Sequence, residues 1–580
     1  MAITHQSLRP LLLFLSYLVL PVIAEHCKCL PGDPCWPDET AWARLNATVS
    51  GALIQNRPIA AVCYPGMPEF DGPACERLTA DLMTAEHHLN SPSGYQYPLD
   101  VPCPVRPSSN GTCSLGVTPV YTINATHYEH VSAGVRFAQT HGLRLVIRNT
   151  GHDLLGRSTG FGALQIWIRH LRTGIHFADS YVPTKPCPGH TQWDGASVTI
   201  GGGYEWGEAY QVVSAKNKLI VGGGTPTVGC IGGWMQGGGH SPASHEYSLG
   251  ADQILEAKVV LADGNLVTAN ACHNPSLFRA IRGGSPAYGV VVSATWKVYP
   301  TRNVTAQSLT FAAKTSKEND VTTFFTALTN LYTESVYLID HGAINGAYVY
   351  PAYTHVLTGL GKTRAQTNKV MQRLMDKLPS DDLHVSTKID EFPTYGAYLS
   401  GSAFTNSSQA ASILMAYGSR LLDKRALAEN RDALKRTIHK IAGNANQMVM
   451  NALLFVGAGE VFVDRSDTAI LPAWRSTYVH ALVSRMWAPE TPSHEVEAIQ
   501  KDITYEKVGA LRKLAPATGA YMNEADRLDP NWVEDFYGWR RYEELSRIKH
   551  LYDPDDLFYC PTCVGATRWR EAETGALCRV

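Results

Sequence analysis

The sequence predicts an α+β fold built as two large modules, on three observations. From Thr118 an apolar run, a helical stretch and a second apolar run follow one another as strand, helix and strand. Up to Pro300 further apolar strands follow, most of them ending at glycine. Beyond Pro300 the glycine clusters thin out, and amphipathic helices alternate with strand-like runs. A chain of 580 residues exceeds the roughly 100–200 of one domain. Its 44% hydrophobic and 18% charged residues are ordinary for a globular protein with large cores. A formal net charge of −2 gives no reason to expect a nucleic acid or an anionic membrane as partner.

Residues 1–24 read as a secretory signal peptide. Arg9 precedes an apolar run from Leu11 to Leu20, and Val22 and Ala24 form the small pair before a cut at Ala24–Glu25. The run is short for a membrane span of about 20 residues, so an anchor is the weaker reading. Secretion accounts for two further features. The chain has 13 cysteines, which an oxidising compartment would pair as disulfides. The odd count leaves a thiol over, expected at buried Cys230 or Cys272. Asn-x-Ser/Thr sequons at Asn46, Asn110, Asn124, Asn303 and Asn406 fit a glycoprotein.

Residues 25–117 are rich in proline and cysteine, with one helical stretch around Asp38–Ile54. Residues 118–300 are the glycine-punctuated module. VTPVYTI, HYEHVSAGVRFAQTHG and LRLVIRN give strand, helix and strand, and ASVTIGGG, KLIVGGG, ILEAKVVLADG and YGVVVSATWKVYP give more strands. In the second module, 301–515, KENDVTTFFTALTNLYTE and TNKVMQRLMDKL read as helices, and NGAYVYPAYTHVL, NQMVMNALLFVGAGEVF and STYVHALVSRMW as strands. The tail, 516–580, holds GAYMNEAD, a helix WVEDFYGWRRYEELSRIKHLY and the turn DPDDLFYCPTC. Cys560-x-x-Cys563 has no second pair and no βαβ setting, so it reads as a structural disulfide; no metal ion is expected.

Two segments carry the chemistry. VGGGTPTVGCIGGWMQGGGH, 221–240, is the richest in glycine, and glycines let backbone N–H groups close on anionic oxygens such as a diphosphate. Neither a G-x-G-x-x-G nor a Walker loop is present, so a nucleotide would be held by another architecture; a set of tight turns is the competing reading. RNTGHDLLGRS, 148–158, places His152 in a loop of small residues. Gly156-Arg157-Ser158-Thr159-Gly160 also matches the G-x-S-x-G nucleophile elbow, which would make Ser158 a serine-hydrolase nucleophile. The elbow needs a strand before it and a helix after it, whereas FGALQIWIRHL downstream is strand-like.

These two segments, with LFRAIRGGSPAYGVVVSATWKVYP and the tail YMNEAD…RYEELSRIKHLYDPDDLF, stand in the order that resembles the vanillyl-alcohol-oxidase-type FAD-linked oxidoreductases. The resemblance is to their berberine bridge enzyme-like branch, secreted fungal type, and covers residues 25–580. It implies a two-domain FAD-binding fold with an antiparallel-sheet substrate domain, the tail returning to the FAD domain. It implies that His152 is bonded to the 8α position of FAD. Asn149, Thr150, Gly151, Asp153, Gly156, Arg157 and Ser158 would then hold the cofactor, with Gly224, Thr225, Val228, Gly229, Gly232, Gly233, Gly238 and Gly239. His240 would line the pocket, and Gly289 and Val290 would lie under the nucleotide or ring. Relatives carry a cysteine where Thr225 stands and join it to the flavin; threonine cannot, so a single covalent link is expected. A second departure, Gly538-Trp539-Arg540-Arg541-Tyr542, lacks the usual asparagine.

The implied activity is hydride transfer from a C–H beside oxygen or nitrogen of a small-molecule substrate, an alcohol, amine or secondary metabolite, with O2 as acceptor and Val228 leaving the ring accessible. Tyr521 is the first candidate base and Asn523 its neighbour at flavin or substrate. An ordinary tyrosine pKa near 10 requires a cation to lower it, and Arg541 or Lys549 could approach. A cyclase or rearrangement catalyst without net oxidation is the alternative on the same fold. The protein is expected to act as a monomer.

Overall fold

The computed structural model describes residues 26–580 apart from 82–83, 95–102, 106–112, 189–192, 350–351, 380–381, 402–413, 445–446, 448 and 489–490. The segment read as a signal peptide, and the sequons at Asn110 and Asn406, lie outside the described residues. Asn303 is exposed, whereas Asn46 and Asn124 are half-buried and their amide oxygens accept hydrogen bonds from Leu53 and pair with His170.

The chain is mixed helix and sheet. A four-stranded sheet runs Leu53–Gln55, Tyr121–Asn124, Leu164–Trp167, Leu145–Arg148, with the last three strands parallel. Those parallel strands are almost continuously buried, as parallel sheets require. The helix Tyr128–Thr140 connects two of them and buries Val131, Val135 and Ala138 on the face that its 3.6-residue period directs at the sheet. Beside it lies a five-stranded antiparallel sheet, ordered Ile175–Ala178, Ser197–Gly201, Val290–Lys297, Ile254–Val260, Leu266–Ala269.

The third sheet is seven-stranded and antiparallel throughout: Leu383–Phe392, Val304–Ala313, Ala352–Leu360, Ala343–Val349, Val449–Phe455, Thr477–Met486, Met415–Asp423. The helices Glu318–His341, Arg364–Met375 and Arg431–Ala442 cover one face with a core that includes Phe324, Leu331, Met371 and Ile438. A smaller cluster, with Leu249, Leu421, Ile470, Trp474 and Tyr521, joins this sheet to the glycine-rich part and the tail. Charge pairs tie the same parts together. Arg475 grips Asp252 at 2.9 and 3.0 Å, and buried Arg420 meets Asp535 at 2.7 Å.

Two expectations are corrected. The tail helix is two helices, Trp532–Tyr537 and Trp539–Tyr552, because Gly538 turns the chain at φ +75°. Cys272 is paired with Cys187, so among the described cysteines the free thiol is Cys230 alone. Six disulfides are formed; Cys27–Cys578 fastens the two ends, and Cys560–Cys563 closes the tail turn. Among the described residues no helix is long and apolar enough to cross a membrane.

Candidate functional site

A cavity of about 320 Å3 opens where the 149–158 loop, the 225–236 segment, the start of strand Val290–Lys297 and the tail converge. Of the residues singled out from sequence, Asn149, Thr150, Gly151, His152, Asp153, Arg157, Ser158, Thr225, Val228, Gly229, Gly232, Gly233, Gly289, Val290, Tyr521 and Asn523 line it. Gly156, Gly224, Gly238, Gly239 and His240 stand outside that lining. Gly238 and Gly239 instead accept backbone hydrogen bonds from Ala251 and Gly250.

The His152 loop leaves strand Leu145–Arg148 and is shaped by its own side chains. Asn149 donates to the carbonyls of Gly202 and Ile231, both at 2.7 Å. The Thr150 hydroxyl accepts from Gly229 N–H, joining the two glycine-rich segments. Asp153 accepts from Leu155 N–H and from both N–H and hydroxyl of Ser158, the latter at 2.8 Å. Ser158 is therefore bound to a carboxylate, and the next element is strand Leu164–Trp167, so no nucleophile elbow is formed.

His152 Nε2 lies 2.8 Å from the Thr227 hydroxyl. Burial lowers the imidazole pKa to about 4, with the charges of His88 and Arg148 acting in the same direction. The ring is neutral at physiological pH and keeps a nucleophilic lone pair. Thr227 was not singled out, although its motif was.

Arg157 spreads over three partners: Pro561 carbonyl, Thr562 hydroxyl and Asn523 Oδ1 at 3.2, 3.0 and 3.2 Å. Asn523 donates in turn to Gly233 carbonyl and, at 2.8 Å, to the Tyr521 hydroxyl. A side chain at Gly237 would put its Cβ 2.4 Å from the Asn523 amide, so only glycine admits that approach. Tyr521 is buried, and burial, then the Glu524 charge, push its hydroxyl far above the ordinary tyrosine pKa; Asn523, Gly239 and Arg157 only partly offset this. The expected base is thus held protonated. Nor do the expected cations reach it. Arg541 donates to the Thr468 and Ile470 carbonyls, and Lys549 to Ala287, Asp553 and Phe558. The cation beside Tyr521 is Arg157.

Sequence reasoning also missed a cluster. Glu524 lines the cavity, and the Nε2 atoms of His240 and His480 both close on its carboxylate. His480 belongs to strand Thr477–Met486 of the seven-stranded sheet, so three distant segments meet here.

The wall suits a polar, ring-bearing dinucleotide. Asn149 Oδ1 and Gln236 Oε1 are buried without a protein partner, two acceptors for a ligand's N–H or O–H groups. Thr225 occupies the wall, while Cys230 is fully buried in the core, its thiol pKa pushed well up by burial.

Comparison with known proteins identifies the family. The family model described as "FAD binding domain" matches residues 119–270, and "Berberine and berberine like" matches 520–565. An FAD-linked oxidoreductase, hmp9, of Hypomyces subiculosus is 38% identical, over 96% of this chain and 91% of that one. A bifunctional decalin synthase, calF, of Penicillium decumbens is 30% identical over 99% of this chain and 100% of that one. The crystal structure of the VAO-type flavoprotein MtVAO713 from Myceliophthora thermophila C1 superposes with a TM-score of 0.91 at 36% identity, covering 96% of this chain and 100% of that one. The chain belongs to the VAO-type, berberine bridge enzyme-like family of FAD-linked oxidoreductases, and its cofactor is FAD.

Proposed function

We propose that the protein is a secreted oxidase that takes a hydride from a C–H beside oxygen or nitrogen of a small-molecule substrate, with FAD held by one covalent bond at His152. The observation that carries this reading is the neutral imidazole of His152 in the cavity wall, its Nε2 engaged by Thr227. When bound, FAD would supply the hydride acceptor and a two-electron route to O2, with peroxide as by-product. Thr225 in the cysteine slot and Cys230 in the core leave no second thiolate for the ring.

The lining residues from Asn149 to Ser158, Thr225 to Gly233, and Gly289 with Val290 bind and orient the cofactor. Asn523, held between Arg157 and Tyr521, presents its amide at the wall. Val228, a small apolar residue at the cavity, leaves O2 a path to it. The apolar segment before Glu25, the six disulfides and the exposed Asn303 sequon support a secreted glycoprotein.

The relative named a decalin synthase favours a second reading, ring closure without net oxidation. The deciding experiment has two parts. Purified protein is expected to be yellow and to keep its colour in the acid-precipitated pellet, with the flavin on the peptide containing His152. Peroxide equal to product on a turned-over substrate supports the oxidase; product without peroxide or reduced acceptor supports the cyclase.

A further inference from the structure

Glu524 reaches the cavity from the tail, and two histidines from other parts of the chain fix its carboxylate. His240 Nε2 lies 3.2 Å from Oε1 and 3.3 Å from Oε2; His480 Nε2 lies 2.9 Å from Oε2. The His480 side chain is 0% exposed and its Nδ1 has no partner. An orphaned buried N–H is the rarer defect, so the hydrogen sits on Nε2 and points at Glu524. Burial lowers the His480 pKa against the pull of Glu524, which keeps the ring neutral. Burial alone would raise the Glu524 pKa, but His240 and His480 outweigh it and hold the carboxyl well below its usual range.

The surroundings close the cluster. The Tyr521 ring meets the His240 and His480 rings edge-on, at centroid distances of 5.4 and 5.6 Å. Tyr417, on the neighbouring strand Met415–Asp423, and Arg157, across Asn523, are the other titratable groups facing it. Tyr417 and Tyr521 are both pushed up by burial and stay protonated. The ionised Glu524 carboxylate thus lies at the cavity wall, gripped from behind by the two imidazoles.

We propose that Glu524 is the catalytic residue that receives the substrate's hydroxyl or amine proton, with His240 and His480 as its positioning residues. This rests on the oxidase reading above. The substrate's C–H bond breaks and its electron pair leaves with the hydrogen as hydride to the FAD. The O–H or N–H bond breaks, its proton passes to the Glu524 cluster, and its electron pair becomes the second bond of C=O or C=N. Two electrons leave the substrate, and the proton remains on the cluster until water takes it.

The test uses the FAD-loaded protein and its Glu524→Gln and Glu524→Asp variants, each first shown to retain covalent flavin. Benzyl alcohol and benzylamine serve as probes for anaerobic flavin reduction. Glu524→Gln is expected to slow reduction at least about 100-fold, the usual contribution of a general base, and to lose the acid limb of the pH profile. Glu524→Asp and His480→Gln are expected to fall between, with the limb shifted. A second readout needs no substrate. The carboxylate's negative charge at the cavity opposes reduction of the bound FAD, so Glu524→Gln is expected to raise the flavin's reduction potential, read by dye equilibration at pH 7. An unchanged potential, or equal reduction rates with either probe, overturns the assignment. A colourless wild type overturns the oxidase reading instead.

Discussion

The Thr227 hydroxyl stands 2.8 Å from Nε2 of His152, within the T-P-T-V-G turn that faces the H-bearing loop across the cavity. This contact engages one of the ring's two nitrogens and helps to set its rotation. Thr227→Val removes the hydroxyl while keeping the volume. The lost bond is worth about 1 kcal/mol, a factor of about five in the population of the aligned ring. We expect a comparable fall in the fraction of flavin retained after acid precipitation, and recovery in Thr227→Ser. Unchanged retention in Thr227→Val would remove Thr227 from the account.

His152→Ala tests the single tether. Thr225 cannot form a thioether and Cys230 is buried in the core, so all covalent flavin should vanish. The expected outcome is a folded protein whose colour leaves entirely with the supernatant on denaturation. Colour left in the pellet would reveal a second attachment point.

The site was legible where its chemistry sits in short windows. The His152 loop and the 221–240 segment declare themselves through glycine and one imidazole, because close backbone approach leaves few residue choices. The Glu524 cluster was not legible. His240 and Glu524 are 284 residues apart, Glu524 and His480 are 44 apart, and no local period marks a pair that only the tertiary fold joins. The strands read the same way. Leu383–Phe392 is an edge strand, so LHVSTKIDEF carries charges where an apolar alternation would be sought. Met415–Asp423 contains Arg420, polar in sequence yet buried, because its partner Asp535 lies far along the chain. The tail helix was read as one because Gly538 is a lone glycine in a helical pattern, and its left-handed φ is not visible in the letters.

His355 makes a prediction about pH. It is wholly buried on strand Ala352–Leu360, neither ring nitrogen has a partner, and burial lowers its pKa to about 3. In the unfolded chain the ring titrates near 6.5. Between those values the unfolded state binds the extra proton, so stability is complete above about pH 6.5 and is lost as pH falls. The slope reaches about 1.4 kcal/mol per pH unit from this group. Urea midpoints measured from pH 7 to 4 should fall less steeply in His355→Leu than in the wild type. Parallel curves would show that His355 does not report this linkage.

Lys549 and Asp553 support the cavity from behind. Both side chains are buried, 1% and 0% exposed, and their charges meet at 2.7 Å. Lys549 also donates to the Ala287 and Phe558 carbonyls, while Asp553 accepts from the N–H groups of Leu557 and Phe558. Phe558 and Cys560 are in the cavity wall, so this pair sets the position of that wall. Lys549→Met leaves a buried carboxylate without its cation, which costs about 3–5 kcal/mol, whereas removing both charges costs far less. The urea midpoint of Lys549→Met is therefore expected to drop sharply, and the added change Asp553→Asn to recover most of the loss. Flavin loading should follow the same order, because a slack wall binds the cofactor less well. A Lys549→Met protein as stable as the wild type would mean that the backbone turn at 553–558 holds itself, without the ion pair.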